Sequence, residues 1–305
     1  MSVAQALTEL SGILQREKTA GRQQIGIAPE SIDLLRNLAS APPAPVAEPA
    51  PVTKAEPVAK IEAPAPADTP PPAAVSTLAE LTAPDLITVE GETKRDRLNN
   101  LFRALKADKL TQLPTLRKQL VFAKGNPDAA VMFVGEGPGY EEENQKRPFV
   151  GPSGQLLDKI IGAMGLNPAE DIYVSNIVKY RPQMGDGTFQ GQKNRKPTPD
   201  EMSAMVAYVL TEINIVRPQA IVALGSSAAE GLLGLVGSLG KMRNQFYNVA
   251  DIPTMVTYHP SYLLRSESNS PNRGKSEKRK VWEDLLLVME KVGLPISEKQ
   301  QRYFL

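Results

Sequence analysis

The sequence contains no cysteine and only one histidine among its 305 residues. The lack of cysteine excludes disulfides, thiolate zinc sites, cysteine nucleophiles and iron–sulfur clusters held by cysteine. A single histidine also argues against a zinc hydrolase. Basic and acidic residues are nearly balanced, at 35 and 34, so any basic surface that could bind nucleic acid must be local.

Long apolar runs and a leader pattern are also missing. No run approaches the roughly 20 apolar residues of a membrane helix. The first 15 residues lack the charged start, apolar core and small-residue cleavage site of a signal peptide. We therefore expect a soluble cytoplasmic protein with no membrane partner.

Proline is concentrated between residues 41 and 84, which hold 12 of the 27 prolines. This stretch of mainly Ala, Pro, Val, Glu and Lys predicts a disordered, semi-extended linker. A mere tether and a partner-docking segment both remain open as its role. Before it, apolar residues at helical spacing predict a short helical N-terminal segment over residues 1–40, which could bind a protein partner.

After the linker, strand-like and helix-like runs alternate, which is typical of an α/β domain with a parallel sheet covered on both faces. We predict this domain over residues 94–295, followed by a C-terminal tail over residues 296–305. Strands are predicted over 130–135, 172–176, 220–224 and 254–258. Helices are predicted over 94–108, 154–164, 199–215, 227–233 and 277–292, the first with its apolar face on Leu98, Leu101, Phe102 and Leu105.

The most informative segment is the Gly/Pro turn GEGPG at residues 135–139, directly after a predicted buried strand. Such a turn can present rigid backbone to a ligand. It does not match a nucleotide P-loop, and Glu136 would repel phosphate. A plain tight exit from the strand is the alternative interpretation.

Three single residues stand out, each with a structural and a functional interpretation. Phe149 either fills the core or stacks on a flat ring. Asn176 either caps a turn or reads a nucleobase edge with its adjacent amide donor and acceptor. His259, the one histidine, is either structural or supplies a hydrogen-bonding, titratable ring.

Two basic runs follow these segments. They are either solvated faces or contacts to a phosphate backbone, and their position after the candidate segments favours phosphate contact. The first run consists of Lys179, Arg181, Lys193, Arg195 and Lys196. The second consists of Arg265, Arg273, Lys275, Lys278, Arg279 and Lys280.

Together these segments resemble the uracil-DNA glycosylase superfamily, and within it the bacterial and archaeal group called family 4. The resemblance covers about residues 110–294 and is specific because six blocks occur in order. They are GEGPG (135–139), PFVG-x-x-G-x-LL (148–157), N-x-x-K-x-RP (176–182), NR-x-P-T-P (194–199), P-x-x-I-x-x-LG (218–225) and HPSYLLR (259–265).

The resemblance implies a fold and an activity. The fold would be a three-layer α/β/α sandwich around a central, mostly parallel four-stranded sheet. The activity would be excision of uracil from DNA in base excision repair, by base flipping and hydrolysis of the N-glycosidic bond. We expect a monomeric, monofunctional glycosylase that leaves an abasic site.

The resemblance also implies roles for individual residues. Phe149 would stack on uracil, Asn176 would read its edge, and His259 would donate to uracil O2 as the leaving base becomes negative. The loop that touches the flipped base and positions water would comprise Gly135, Glu136, Gly137, Gly139 and Glu142. DNA contacts are expected from Lys179, Arg181, Ser261, Tyr262, Leu263 and Arg265, with residues 260–265 wedged into the DNA helix.

Family 4 members typically hold a four-iron cluster on four cysteines, and this chain departs from that pattern. The matching positions are Leu110, Leu113, Tyr180 and Met205. We therefore predict no iron–sulfur cluster and no other cofactor, and hypothesise that these four side chains form a small hydrophobic cluster instead. Asn244, where the family usually has glycine, and the long segment 266–280 are further departures.

Two other functions remain open at this stage. One is a non-catalytic, cluster-free DNA-binding relative that tethers a partner through its N-terminal segment. The other is a nucleotide-binding partner of the replication machinery. The joint presence of Phe149, Asn176 and His259 favours the enzyme.

Overall fold

The computed structural model describes residues 86–188 and 190–304. The predicted N-terminal segment and linker, residues 1–84, lie outside the described residues. The strands are β1 (Leu116–Leu120), β2 (Lys124–Gly125), β3 (Val131–Gly135), β4 (Ile172–Asn176), β5 (Tyr180–Pro182), β6 (Ala220–Leu224), β7 (Phe246–Val249) and β8 (Ile252–Thr257). The α-helices are α1 (Lys94–Ala107), α2 (Tyr140–Gln145), α3 (Pro152–Ala163), α4 (Pro199–Val216), α5 (Ser226–Leu233), α6 (Leu239–Met242), α7 (Pro260–Asn269), α8 (Pro271–Lys291) and α9 (Glu298–Gln301).

Six strands form the main sheet of the described region, in the order β2-β4-β3-β6-β8-β7. The strands β4, β3, β6 and β8 are parallel, whereas the edge strands β2 and β7 pair antiparallel. The predicted sheet of four strands is therefore corrected to six. The sequence pattern missed the edges because β2 has only two residues and neither edge strand is an apolar run.

Helices cover both faces of this sheet, which confirms the predicted α/β fold. Alternate residues of β3 point to opposite cores: Met132 and Val134 join one, and Val131 and Phe133 join the other. The first core includes α1, α4 and α5, and the second includes α3, α7 and α8. Every residue of β3 is buried, as is typical of a central parallel strand.

The helix α1 begins with a capping box, in which Thr93 and Asp96 each satisfy the other's backbone amide. It buries Leu98, Leu101 and Leu105. Phe102 was predicted to face inward, but it is 37% exposed. A residue next to Leu101 is turned by about 100° around the helix, which takes Phe102 to the edge of the buried stripe.

The C-terminal segments are more helical than predicted. Residues 260–269 form α7, and α8 begins at Pro271 rather than at residue 277. The extra length of segment 266–280 therefore extends two helices. Asn244 has a φ of +61°, a left-handed conformation that glycine adopts freely and asparagine tolerates. None of the helices described here is both long and apolar enough to cross a membrane.

Candidate active site

A cavity of about 920 Å³ lies at the carboxyl ends of the four parallel strands. The strand β3 pairs with β4 on one side and with β6 on the other. The chain segments that follow these neighbouring strands therefore diverge, and a crevice opens between them at the carboxyl ends. Glu136 follows β3, Asn176 closes β4, Gly225 follows β6, and His259 lies just beyond β8. Parallel topology therefore brings together residues that are far apart in sequence.

Asn176 presents an unpaired hydrogen-bond acceptor in the cavity wall. The residue is 1% exposed, and its Oδ1 has no hydrogen-bond partner among the described residues. An unsatisfied buried polar group costs about 1–3 kcal/mol. A ligand that brings an N–H group to this oxygen would remove that cost.

Gly135 lets Phe149 and Asn176 approach the same stretch of backbone. A Cβ at position 135 would lie 2.5 Å from both Asn176 Oδ1 and Phe149 Cζ. The Phe149 ring centroid lies 5.7 Å from that of His259, with the ring planes inclined by 30°. An aromatic face, an amide and an imidazole therefore border the same cavity.

His259 is held as a neutral ring. Its Nδ1 accepts a hydrogen bond from the Ser261 backbone amide at 3.1 Å, which caps α7. Burial, and then the positive charge of Arg265, lower the pKa of His259 to about 4. With Nδ1 used as an acceptor, the ring carries its proton on Nε2 and can act as a donor there.

Glu136 is the carboxylate that lines the cavity just after β3. Its Oε2 accepts from Ser227 Oγ at 2.5 Å. Burial raises the pKa of Glu136, against the opposing effects of Ser227, Lys196 and Arg265. A half-buried carboxylate at this place can orient a water molecule or accept its proton.

Glu142, for which a catalytic role was predicted, binds backbone amides of two loops in the structure. Its Oε1 accepts from the amides of Val150 and Gly151 at 2.9 and 2.8 Å, and its Oε2 accepts from the Gly139 amide at 3.1 Å. Three backbone donors occupy the carboxylate, which therefore joins the GEGPG loop to the PFVG segment.

Gly137 also lines the cavity, and a Cβ at this position would lie 2.4 Å from Val178 Cγ2.

Lys179 and Arg181 were expected to contact DNA, but the structure buries both. Lys179 is 0% exposed, and its ammonium pairs with Glu212 and donates to Ser175 Oγ. Arg181 is 1% exposed and bonds Glu143 Oε2 at 3.0 Å. Their charges are therefore neutralised inside the fold and do not face a phosphate backbone.

The HPSYLLR segment divides between the cavity and the core. Ser261, Tyr262 and Arg265 line the cavity, and Arg265 is exposed. Leu263, predicted to touch DNA, is instead 0% exposed in the second core. Since α7 is a regular helix, one face must pack inward, and Leu263 lies on that face.

Sequence reasoning missed several residues of the site. Tyr258 lines the cavity, and its ring centroid lies 4.8 Å from that of Tyr262. Lys196 was assigned only to a basic run, yet it also lines the cavity and donates to Ser226 Oγ at 3.1 Å. Its place in the NR-x-P-T-P block was the available signal. Ser227, the partner of Glu136, carried no signal of its own.

The positions that match the family's cluster ligands do not fit an iron–sulfur cluster. Leu113, Tyr180 and Met205 pack in or against the first core, but Leu110 is 80% exposed. The hypothesis of a four-residue hydrophobic cluster is therefore wrong at Leu110, where the neighbouring Thr111 turns inward instead. None of these side chains is a thiolate, and the described residues contain no group of three or more His, Cys, Asp or Glu suited to a metal.

We expect the buried charges of Lys179 and Glu212 to depend strongly on each other, so that removing one partner alone destabilises the protein. Lys179→Met alone would leave an uncompensated buried carboxylate and should lower the free energy of unfolding by about 3–5 kcal/mol. Combining it with Glu212→Leu should recover most of this loss, because no charge is then buried. Urea unfolding of the three proteins tests this, and equal stability of the single and double variants would contradict it.

Comparison with known proteins matches the region that builds the cavity. A family described as the uracil DNA glycosylase superfamily matches residues 122–286. A type-4 uracil-DNA glycosylase of Thermotoga maritima is 40% identical over 159 residues, which cover 52% of this chain and 78% of that protein. A type-4 enzyme of Pyrobaculum aerophilum is 33% identical over 55% of this chain and 85% of its own length. A type-5 uracil-DNA glycosylase of the same organism is 30% identical over 46% and 64%.

Proposed function

Since the chain belongs to the uracil DNA glycosylase superfamily, we propose that it excises uracil from DNA in base excision repair. Its relatives named as type-4 uracil-DNA glycosylases support the substrate and the reaction class. The open acceptor of Asn176 is the observation that carries this proposal. Asn176 Oδ1 has no hydrogen-bond donor among the described residues, and the N3–H group of uracil would supply one.

The cavity residues suit a uracil ring in three ways. Asn176 Oδ1 would accept from N3–H, Phe149 would stack on the ring face, and His259 Nε2–H would donate to O2. Cytosine carries a lone pair at N3, so two acceptors would face each other and the ring would be rejected. This arrangement supports selection of uracil over cytosine.

The bond-breaking step would develop negative charge on the departing base and positive charge on the sugar. A neutral imidazole protonated at Nε2 can donate a hydrogen bond to uracil O2 without first gaining a proton, and this donation would stabilise the leaving anion. Glu136 would orient the water that attacks the sugar. The target nucleotide must first be extruded from the base stack, because its glycosidic bond is inaccessible inside the duplex.

We further propose that the reaction leaves an abasic site with the strand intact. Lys196 is the lysine that lines the cavity, and its amine donates to Ser226 Oγ. Water therefore serves as nucleophile. With Lys179 and Arg181 buried, the DNA backbone would instead meet Lys196, Arg265 and Tyr262 at the cavity mouth. We place the catalytic unit at residues 94–295. We further propose that the N-terminal segment, residues 1–40, binds a protein partner and that residues 41–84 are its linker.

Excision from an end-labelled oligonucleotide with one central uracil tests the function. We expect strand cleavage only after alkali, and none with matched oligonucleotides that carry cytosine or thymine at that position. DNA binding without cleavage would overturn the proposal in favour of a non-catalytic relative. Cleavage without alkali would overturn only the monofunctional part. A variant that lacks residues 1–84 should excise at the same rate.

A further inference from the structure

We propose that Lys124 is a positioning residue that holds Phe149 in the conformation needed to stack on uracil. Lys124 lies on the edge strand β2, outside every motif of the family resemblance. Its Nζ donates to the Phe149 carbonyl oxygen at 2.8 Å. The inference rests on the proposed function for its role in catalysis, but its structural part stands independently.

Phe149 needs such support because its backbone is strained. Its φ is +51°, in the left-handed region, where bulky residues are rare and the cost is of order 1–3 kcal/mol. A strained residue of this kind persists only where its surroundings hold it. In this conformation the Phe149 ring lines the cavity, next to His259.

Two charged side chains hold the peptide groups that follow the Phe149 Cα. The Lys124 ammonium binds the Phe149 carbonyl, and Glu142 Oε1 accepts from the Val150 and Gly151 amides. The positive charge of Lys124 thus binds the carbonyl oxygen of this turn, and the negative charge of Glu142 binds two of its amides. Hydrogen bonds to charged groups are about twice as strong as neutral ones.

Packing closes the remaining side of the turn. At Gly154 on α3, a Cβ would lie 2.2 Å from the Phe149 carbonyl carbon and oxygen, so the helix backbone presses directly against this peptide. Asp158 on the same helix places Oδ1 3.7 Å from Lys124 Nζ. Burial lowers the pKa of Lys124, and the negative charge of Asp158 opposes this effect. The Lys124 side chain is 14% exposed, so water competes little for its ammonium.

Kinetics of Lys124→Met test this role, because methionine keeps the length and removes the donor. Stacking acts on bound uracil before and during the reaction, so KM and the inhibition constant of free uracil should each rise roughly tenfold, with kcat little changed. Lys124→Arg, which keeps a cationic donor, should recover most of the affinity. Lys159→Met, an exposed lysine on α3, is the matched control and should behave as wild type.

A double-mutant cycle shows whether Lys124 acts through Phe149. If it does, Lys124→Met should cost little in a Phe149→Ala background. An equal cost in both backgrounds, or unchanged uracil affinity in Lys124→Met, would overturn the proposal. Crystal structures of the full-length wild type and Lys124→Met separate this from failure of the function itself. Even if wild type excises no uracil, Phe149 should leave its left-handed φ in the variant, and an unmoved Phe149 would refute the role of Lys124.

Discussion

Replacing His259 with asparagine should lower the single-turnover rate of uracil excision about 10²- to 10³-fold while leaving the fold intact. Loss of one donor to a developing anion typically has this effect. Asparagine is chosen because its short side chain can still accept from the Ser261 amide and cap α7. It cannot place a donor where Nε2 now lies.

His259→Ala provides the comparison. It removes both the donor and the cap, so it should be as slow as His259→Asn and also less stable by about 1 kcal/mol. Thermal unfolding separates the two effects. A His259→Asn enzyme within tenfold of the wild-type rate would show that the imidazole does not stabilise the leaving base.

The low pKa of His259 also predicts a pH effect on stability. An unfolded histidine takes up a proton near its ordinary pKa of 6.5, whereas the folded ring stays neutral down to about 4. The contribution of this residue to stability should therefore be complete above about pH 6.5 and fall as the pH drops toward 4. The fall between these limits should be smaller in His259→Asn.

Gly135→Ala should reduce kcat/KM for uracil excision by about 10²-fold or more, since displacements of 1 Å in an active site can have this cost. The new Cβ would stand 2.5 Å from Asn176 Oδ1 and Phe149 Cζ. Either the Asn176 amide or the Phe149 ring must move. Overpacking of this kind should also lower the free energy of unfolding by about 1–3 kcal/mol.

Gly162→Ala is the matched control for this substitution. Gly162 lies in α3, where a Cβ would meet nothing within 4 Å. Alanine should stabilise this helix slightly and leave excision unchanged. If Gly135→Ala kept activity within threefold of wild type, the close approach of Asn176 and Phe149 over the glycine could not be important for catalysis.

The parallel centre of the fold was predictable from sequence because its strands are buried apolar runs separated by helices. The positions of Asn176 and His259 followed from the same pattern, since both lie where a predicted strand ends. The motif resemblance, rather than any pattern of spacing, supplied their expected roles. The short edge strand that carries Lys124 had no comparable signal.

The errors concern which way a charged or apolar side chain faces. Lys179 and Arg181 look like surface cations in sequence, but their partners Glu212 and Glu143 are 33 and 38 residues away. The three amide donors that bind Glu142 could not be predicted from sequence either. Leu263 follows two cavity residues in sequence, yet its position on α7 takes it into the core. Such pairings depend on tertiary structure.

The bond network of Glu142 has a consequence for how this protein meets its substrate. A pocket whose loops are already joined requires little rearrangement on binding. Under the proposed function, most of the conformational cost of binding would then fall on the DNA. The ease with which a given uracil leaves its stack and its pairing partner should then govern which lesions are repaired first. In that case, the preference for one DNA context over another would come from how easily the DNA deforms, and the preformed pocket of the protein would contribute little to it.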